Sequence, residues 1–256
     1  MDSTKQLGIG VSIGVIADLA LVSAWFFLIP VLNWRKAQQM GKSNPRLFLV
    51  PQPLRDQTVS GVTGTKLEEF GYQFEVPWPE PETEIRKKWL ADYLFPGGRG
   101  MVFENPAEQH GLIATMREAT AGTQAKAISF LGARSEYDLL SAELNITPDD
   151  VSPLFWTKGA KYGAALLNLK GLFWSSSAYP WSGVFSLQSN GFRGFQFGDP
   201  SRDDLISLDF FDASDHEFKF FMFVRKNSSV RFAQPELNRI VQTLRPIAPA
   251  SSPATK

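Results

Sequence analysis

The stretch from Gly183 to Val224, GVFSLQSNGFRGFQFGDPSRDDLISLDFFDASDHEFKFFMFV, decides the fold of this chain. It contains four runs rich in phenylalanine, leucine and valine, each of which has the length and composition of a β-strand. Short polar links separate the runs at Ser189–Gly191, Asp199–Ser201 and Asp212–Asp215. Links of this length join neighbouring antiparallel strands. The stretch therefore predicts a four-stranded antiparallel meander.

Helical patterns lie on both sides of this meander. A closing helix is predicted from Gln234 to Leu244, and another over residues 158–169. Helix starts are also predicted after Ser135 and Thr147. The apolar residues expected to face the core from the closing helix are Leu237, Ile240, Val241 and Leu244. Helices followed by a meander and a closing helix indicate an α+β fold, with an antiparallel sheet covered by helices.

Two patterns upstream predict a strand and a further helix. Apolar and polar residues alternate from Tyr72 to Val76, as in a half-buried strand that ends at Pro77. From Glu82 to Phe95 the larger apolar residues recur at helical spacing, and Pro96 follows. This second pattern predicts an amphipathic helix.

An apolar stretch near the amino terminus, residues 7–32, contains a single acid, Asp18. At about 1.5 Å per residue, one helix of this length crosses the roughly 30 Å of a bilayer core. A cleaved signal peptide is the alternative, but the apolar run continues past the cleavage-like triplet at residues 22–24. The sequence predicts a retained transmembrane anchor after a short tail of residues 1–6. A linker over 33–66, a globular domain over 67–245 and a disordered tail over 246–256 are predicted to follow.

Three residues of the predicted anchor share one helical face, since Gly10, Gly14 and Asp18 are spaced four apart. The two glycines let another helix approach closely, and an acid at membrane depth needs a partner or a proton. These residues are predicted to contact integral membrane protein subunits, while lipid surrounds the rest of the helix. The alternative is that the glycines have no special role and Asp18 is tolerated as a neutral acid.

Composition argues against several classes of function. The 26 basic and 26 acidic residues cancel, so no basic face for nucleic acid is expected. The chain has no cysteine and two histidines, His110 and His216, which leaves few soft ligands for a metal. The sequence therefore predicts no metal, no cofactor and no nucleic acid partner.

A run of acids in the meander is one candidate for metal binding. Their oxygens suit Ca²⁺, but they occupy two turns and one strand without a recognised calcium-loop spacing. The acids are Asp199, Asp203, Asp204, Asp209, Asp212 and Asp215. Either histidine could act as a base, yet no nucleophile lies near it in the sequence. The chain is predicted not to be an enzyme, with a hydrolase of unrecognised type as one alternative.

An aromatic segment over residues 172–181 has an unusual composition. Trp174, Tyr179 and Trp181 surround a run of serines. Tryptophan and tyrosine dominate the centres of protein interfaces, so these residues are candidates for an exposed docking loop. The alternative is that they close one end of the sheet.

Two motifs resemble a known family. The strand FGYQFEVPW at Phe70–Trp78 and the final helix PELNRIVQTLR at Pro235–Arg245 resemble the PsbP-like proteins and related exported bacterial lipoproteins. The resemblance implies an antiparallel sheet between helices and a non-catalytic accessory or assembly role in a membrane complex, outside the cytoplasm. This chain departs from many members of the family in its predicted spanning helix and in having no lipobox cysteine, and none of the family's metal-binding residues can be matched in it.

Two signals disagree about the side of the membrane on which the globular domain lies. Arg35, Lys36, Lys42 and Arg46 follow the anchor, whereas Lys5 precedes it, and this asymmetry favours a cytoplasmic domain. The resemblance implies the opposite side, which is the side predicted. The leading hypothesis is a non-enzymatic, single-pass accessory subunit that braces partners in a photosynthetic or respiratory complex. The alternative is a membrane-tethered protein that binds a small ligand in a sheet–helix cleft.

Overall fold

The computed structural model confirms the α+β class. It describes residues 28–54, 57–62, 64–104, 135–154, 158–176, 181–226 and 228–247. Contacts group the chain into two compact units. The first comprises residues 1–49 and 142–177, and the second comprises residues 50–141 and 178–256.

The described helices and strands are numbered along the chain. The helices are α1 (residues 28–43), α2 (Glu136–Asn145), α3 (Lys158–Ser176) and α4 (Gln234–Thr243). The first six strands are β1 (Gln52–Pro53), β2 (Thr65–Glu69), β3 (Tyr72–Val76), β4 (Thr83–Arg86), β5 (Leu90–Phe95) and β6 (Arg99–Glu104). The others are β7 (Val184–Ser189), β8 (Phe192–Phe197), β9 (Leu205–Phe211), β10 (Glu217–Val224) and β11 (Arg245–Pro246). Two 3₁₀ segments lie at Pro45–Phe48 and Pro148–Asp150.

The second unit is built on an eight-stranded sheet of order β1-β7-β8-β9-β10-β6-β5-β4. The predicted meander is confirmed as β7 to β10, which pair antiparallel in sequence order. The prediction of a purely antiparallel sheet is wrong in one respect. The short strand β1 pairs parallel with β7, so the sheet is mixed.

One face of this sheet carries the aromatic core. Among the described residues, α4 and a second sheet of three strands, β11-β3-β2, pack against this face. The predicted inward face of α4 is confirmed, because Leu237, Ile240, Val241 and Leu244 are all buried. Rings of Phe103 and Phe220, on neighbouring strands, stack with centroids 4.4 Å apart.

The predicted helix over residues 82–95 is wrong. The segment forms β4 and β5, which pair with each other, and β5 also pairs with β6. The alternating residues Ala91, Tyr93 and Phe95 are fully buried, whereas Ile85 and Trp89 of the predicted apolar face are each 49% exposed. The apolar residues of this one segment fit a period of 3.6 through Ile85 and Trp89 and a period of two through Ala91, Tyr93 and Phe95. Pairing of β5 with β6 selects the period of two.

The β7–β8 hairpin is tied to the end of α4. Its two-residue turn, Asn190 and Gly191, has φ values of 49° and 84°, a left-handed pair that glycine adopts readily and asparagine tolerates. The Asn190 side-chain amide donates to the carbonyl oxygen of Gln242 at 2.5 Å. This contact caps the last turn of α4 and fixes the helix beside the hairpin.

The first unit contains α1, α3, the end of α2 and both 3₁₀ segments. Small residues allow close packing here. A Cβ on Gly41 would lie 2.7 Å from the Pro148 ring, and one on Gly171 would lie 3.2 Å from Met40 Cε. Residues 33–43, predicted as part of a linker, are instead the continuation of α1.

Several predictions fall outside the described residues. They concern most of the apolar stretch, with Gly10, Gly14 and Asp18, together with His110 and Tyr179. Among the helices that are described, none is both long enough and apolar enough to cross a membrane.

Candidate functional site

A cleft of about 720 Å³ in the second unit is the main candidate for a ligand site. It lies beside the β7–β8 hairpin, between α4, the segment after β1 and the start of α2. Amide side chains dominate its polar lining, and they are Gln57, Gln188, Asn190, Asn238 and Gln242. An amide both donates and accepts hydrogen bonds without charge, so this lining suits a neutral polar ligand.

Internal hydrogen bonds hold three of these amides. Gln57 donates to the carbonyl of Leu54 at 2.7 Å, and Asn238 donates to that of Thr58 at 2.6 Å. Asn190 is held by α4, as described above. Within the described residues, the side chains of Gln188 and Gln242 make no hydrogen bond and are exposed. These two remain available to a ligand.

An aromatic platform forms one wall of the cleft. The ring of Tyr137 stacks on Phe195 at 5.3 Å, and the Arg193 guanidinium lies 4.2 Å from the Tyr137 ring centroid. Arg193 also lies 3.5 Å from an Asp215 oxygen and 3.8 Å from Asp138. Both neighbouring carboxylates offset the positive charge of Arg193, and the other residues that line the cleft are uncharged.

The predicted acidic run does not converge on a metal site. Within the described residues, no group of three or more acids or histidines is placed to hold a metal ion. Asp203 accepts from the backbone N–H of Ser182 and Asp199, at 2.9 and 2.8 Å. Asp204 pairs with Arg231, and Asp209 lies buried 3.2 Å from Lys219 Nζ. The aspartates therefore act in turns and ion pairs.

Asp215 joins the β9–β10 turn to the start of α2. It has a φ of 65° and accepts the backbone N–H groups of Glu136 and Tyr137. Ser135 Oγ accepts the N–H of Asp138 at 3.0 Å, which confirms the predicted helix start. A side chain from another element thus completes the cap of α2 and positions Tyr137 at the cleft.

His216 lies at the end of the same turn and is largely exposed. Its Nδ1 is 3.4 Å from Asp212, and the same carboxylate accepts the Tyr72 hydroxyl at 3.2 Å. Burial and the neighbouring Asp212 charge raise the pKa of Tyr72 to about 12, so the phenol stays protonated at neutral pH. Among the described contacts of His216, none brings it a nucleophile.

The predicted exposure of the docking loop is wrong for its two described tryptophans, because both side chains are buried. Trp174 lies in α3 of the first unit and is 2% exposed. Trp181 lies in the second unit, is 8% exposed and packs on Phe197 with ring centroids 5.2 Å apart. Both side chains therefore serve packing where exposure was expected.

The first unit contains a buried ionisable pair that the sequence did not reveal. Lys170 is fully buried, and its ammonium donates to the carbonyl oxygens of Leu49, Leu144 and Ile146 at 2.6 to 2.8 Å. Burial lowers the pKa of Lys170 to about 8. All three ammonium donors are used inside the protein, so the role of Lys170 is structural.

Glu143 is the second member of this pair and is 2% exposed. Burial raises the pKa of its carboxyl to about 7, and the Lys170 charge opposes that rise. Within the described residues its Oε2 has no hydrogen-bond partner. An unsatisfied carboxylate in this position is costly, which favours the protonated acid.

The stability of the first unit is expected to fall as the pH rises from about 5 to about 7. An acid whose pKa is raised on folding contributes stability that is present below its unfolded pKa and lost as the pH passes the folded value. The expected loss for Glu143 is about 3 kcal/mol. This loss is measured by hydrogen exchange of the α3 amides, whose rates at each pH give the free energy of opening.

Glu143→Gln is expected to flatten this pH dependence, because the amide does not titrate. Asp149→Asn, at an exposed acid of the same unit, is the matched control and should preserve the slope. An unchanged slope in Glu143→Gln would contradict the assignment.

Comparison of the chain with protein-family models, with curated proteins and with solved structures found no match. The resemblance to PsbP-like proteins therefore remains a prediction that rests on the two motifs. Evidence on function comes from the chain's own residues.

Proposed function

We propose that this chain is a non-enzymatic, single-pass accessory subunit of a larger membrane protein complex. The observation that supports the proposal most is α1. Leu28 and Leu32, the last residues of the apolar stretch, lie on this helix and are 58% and 51% exposed. Ala37 and Gly41, on the opposite face, are buried in the first unit.

The continuity of α1 bears on the kind of role proposed. A flexible linker lets a domain explore many orientations around its anchor. A helix that leaves the apolar stretch and packs directly into a folded unit restricts that freedom. Such a restricted attachment suits a subunit that braces or covers its partners in a photosynthetic or respiratory complex.

The proposed partners are integral membrane subunits that contact Gly10, Gly14 and Asp18. Purification of the full-length protein in mild detergent, followed by size-exclusion chromatography and mass spectrometry, tests this. Gly14→Leu and Asp18→Leu are expected to abolish co-purification of partners, since each fills or removes part of the contact face. Ser12→Leu, on the opposite face of the predicted helix, should retain them.

A wild-type protein that elutes alone from membranes would contradict the subunit proposal. Equal loss of partners in Ser12→Leu would contradict the proposed face. The side of the membrane is tested by protease protection in sealed vesicles. The resemblance favours the outside, and the basic residues after the anchor favour the cytoplasm.

The amide-lined cleft favours a second candidate function, the binding of a small neutral ligand. Neutral sugars and short uncharged peptides are the probes of choice for the full-length protein. A ligand that binds the folded state raises the melting temperature by mass action. Gln242→Ala should remove that rise, because its exposed side-chain amide lines the cleft and has no partner among the described residues. Arg202→Ala, outside the cleft, should preserve it.

A further inference from the structure

One face of α1 is open to solvent along its described length and changes from apolar to basic. The residues at helical spacing on this face are Leu28, Leu32, Arg35, Gln39 and Lys42, and all five are exposed. Exposed leucines occur at the amino end, next to the apolar stretch. Arg35, the first exposed cation on this face, follows within one turn of Leu32, and Lys42 lies nearer the carboxyl end of the helix.

All charged residues in and just after α1 are basic. Residues 28–49 contain four basic residues and no acid, and the basic residues are Arg35, Lys36, Lys42 and Arg46. Within the described residues, none of the four forms a salt bridge. The neighbouring acid Asp149 lies to one side of this face, 3.5 Å from Gln38 Nε2.

We propose that this face of α1 binds the headgroups of anionic phospholipids where the chain leaves the membrane. This inference rests on the proposed single-pass anchor. The order of side chains matches a section through a bilayer leaflet, with leucine in hydrocarbon and basic residues among headgroups. Anionic lipids attract basic residues at this depth with about 1 kcal/mol each.

The four basic residues also differ in their distance from Leu32 along the helix axis, and therefore in their expected depth in the bilayer. Arg35 and Lys36 lie about 5 Å along the helix from Leu32, within the depth of the headgroup layer. Lys42 lies about 15 Å from Leu32, and Arg46 lies beyond the end of α1. The first pair therefore contacts headgroups, while the second pair responds only to the screened surface potential.

An acidic protein surface fits the observations less well. It would pair with the cations but would leave Leu28 and Leu32 against a polar surface. A bilayer leaflet accommodates both parts of the face at once. The same apolar-to-basic order would have no counterpart on a uniformly acidic partner.

The test measures which lipids the full-length protein retains. The protein is reconstituted into bilayers of equal phosphatidylcholine and phosphatidylglycerol and then extracted in mild detergent. The bound lipids are counted by mass spectrometry. For the wild type, phosphatidylglycerol is expected to be enriched at least about fivefold over phosphatidylcholine, which corresponds to about 1 kcal/mol.

Three double variants with the same charge change separate the contributions. Arg35→Gln/Lys36→Gln is expected to bring the lipid ratio close to that of the bulk bilayer. Lys42→Gln/Arg46→Gln should lower the enrichment less than twofold, and Lys87→Gln/Lys226→Gln, in the second unit, should leave it unchanged.

An unbiased lipid ratio in the wild type would overturn the proposal. So would equal losses from the Arg35/Lys36 and Lys42/Arg46 pairs, or enrichment that survives Arg35→Gln/Lys36→Gln. A protein that fails to enter these mixed bilayers would instead contradict the proposed anchor. The failure of the anchor and the failure of the headgroup site are therefore distinguishable.

Discussion

Replacement of Lys170 by methionine is expected to destabilise the first unit by about 3 to 5 kcal/mol. The methionine keeps most of the length of the side chain but removes its three hydrogen bonds. The carbonyl oxygens of Leu49, Leu144 and Ile146 would then lie without their donor. Each buried acceptor left unpaired costs about 1 to 3 kcal/mol.

The ammonium of Lys170 also connects separate elements. Leu144 lies in the last turn of α2 and Ile146 just beyond it, where a positive charge is favourable near the helix end. Leu49 follows the first 3₁₀ segment. Loss of this one charge therefore loosens three segments of the first unit together.

Hydrogen exchange of α3 amides in the full-length protein measures the effect of Lys170→Met. Lys36→Met is the matched control, because Lys36 is exposed on α1 of the same unit and its loss should change stability by less than about 0.5 kcal/mol. Equal effects of the two substitutions would contradict the structural role of Lys170. So would a Lys170→Met protein with wild-type protection.

Replacement of Phe220 by alanine is expected to destabilise the second unit by about 3 to 5 kcal/mol. Phe220 lies in the centre of β10 and is fully buried. Its ring stacks on Phe103, at 8° between the ring planes, and contacts Phe74 edge-on with centroids 5.0 Å apart. Truncation leaves a cavity between the main sheet and the β2–β3 sheet.

Phe221→Ala is the matched control for this prediction. Phe221 is the next residue on the same strand, so its side chain points to the other face, where it is only half-buried. A loss of less than about 1.5 kcal/mol is expected there. Hydrogen exchange of β9 and β10 amides compares the two variants. A larger loss from Phe221→Ala would contradict the assignment of faces.

The local sequence was sufficient to predict the secondary structure where several signals agreed. In β7 to β10, strand composition, short polar links and the asparagine–glycine turn all indicate the same antiparallel order. In α4, the spacing of Leu237, Ile240 and Val241 defines one apolar face. Both elements were predicted with nearly their observed bounds.

Local sequence failed where two periods fit equally well. Residues 82–95 satisfy a helical spacing through Ile85 and Trp89, and a strand spacing through Tyr93 and Phe95. Hydrogen bonds from β6, which no local pattern contains, resolve the choice. The parallel pairing of β1 with β7 is likewise a contact between residues about 130 positions apart.

The cleft and the buried Lys170 were beyond prediction from sequence for a related reason. Gln57, Gln242 and Tyr137 come from three distant parts of the second unit, and each is an unremarkable polar or aromatic residue in isolation. Lys170 has the appearance of an ordinary helical lysine until α2 and the first 3₁₀ segment bring their carbonyl oxygens to it.

The sequence by itself determined the α+β class, the meander and the closing helix, because short-range periodicity and turn chemistry specify them. Only the tertiary structure decided the strands β4 and β5, the mixed sheet, the buried positions of Trp174 and Trp181 and the cleft. Those features depend on which distant segments pair and pack. The free energy of such pairing belongs to the assembled fold, and no window of the sequence contains it.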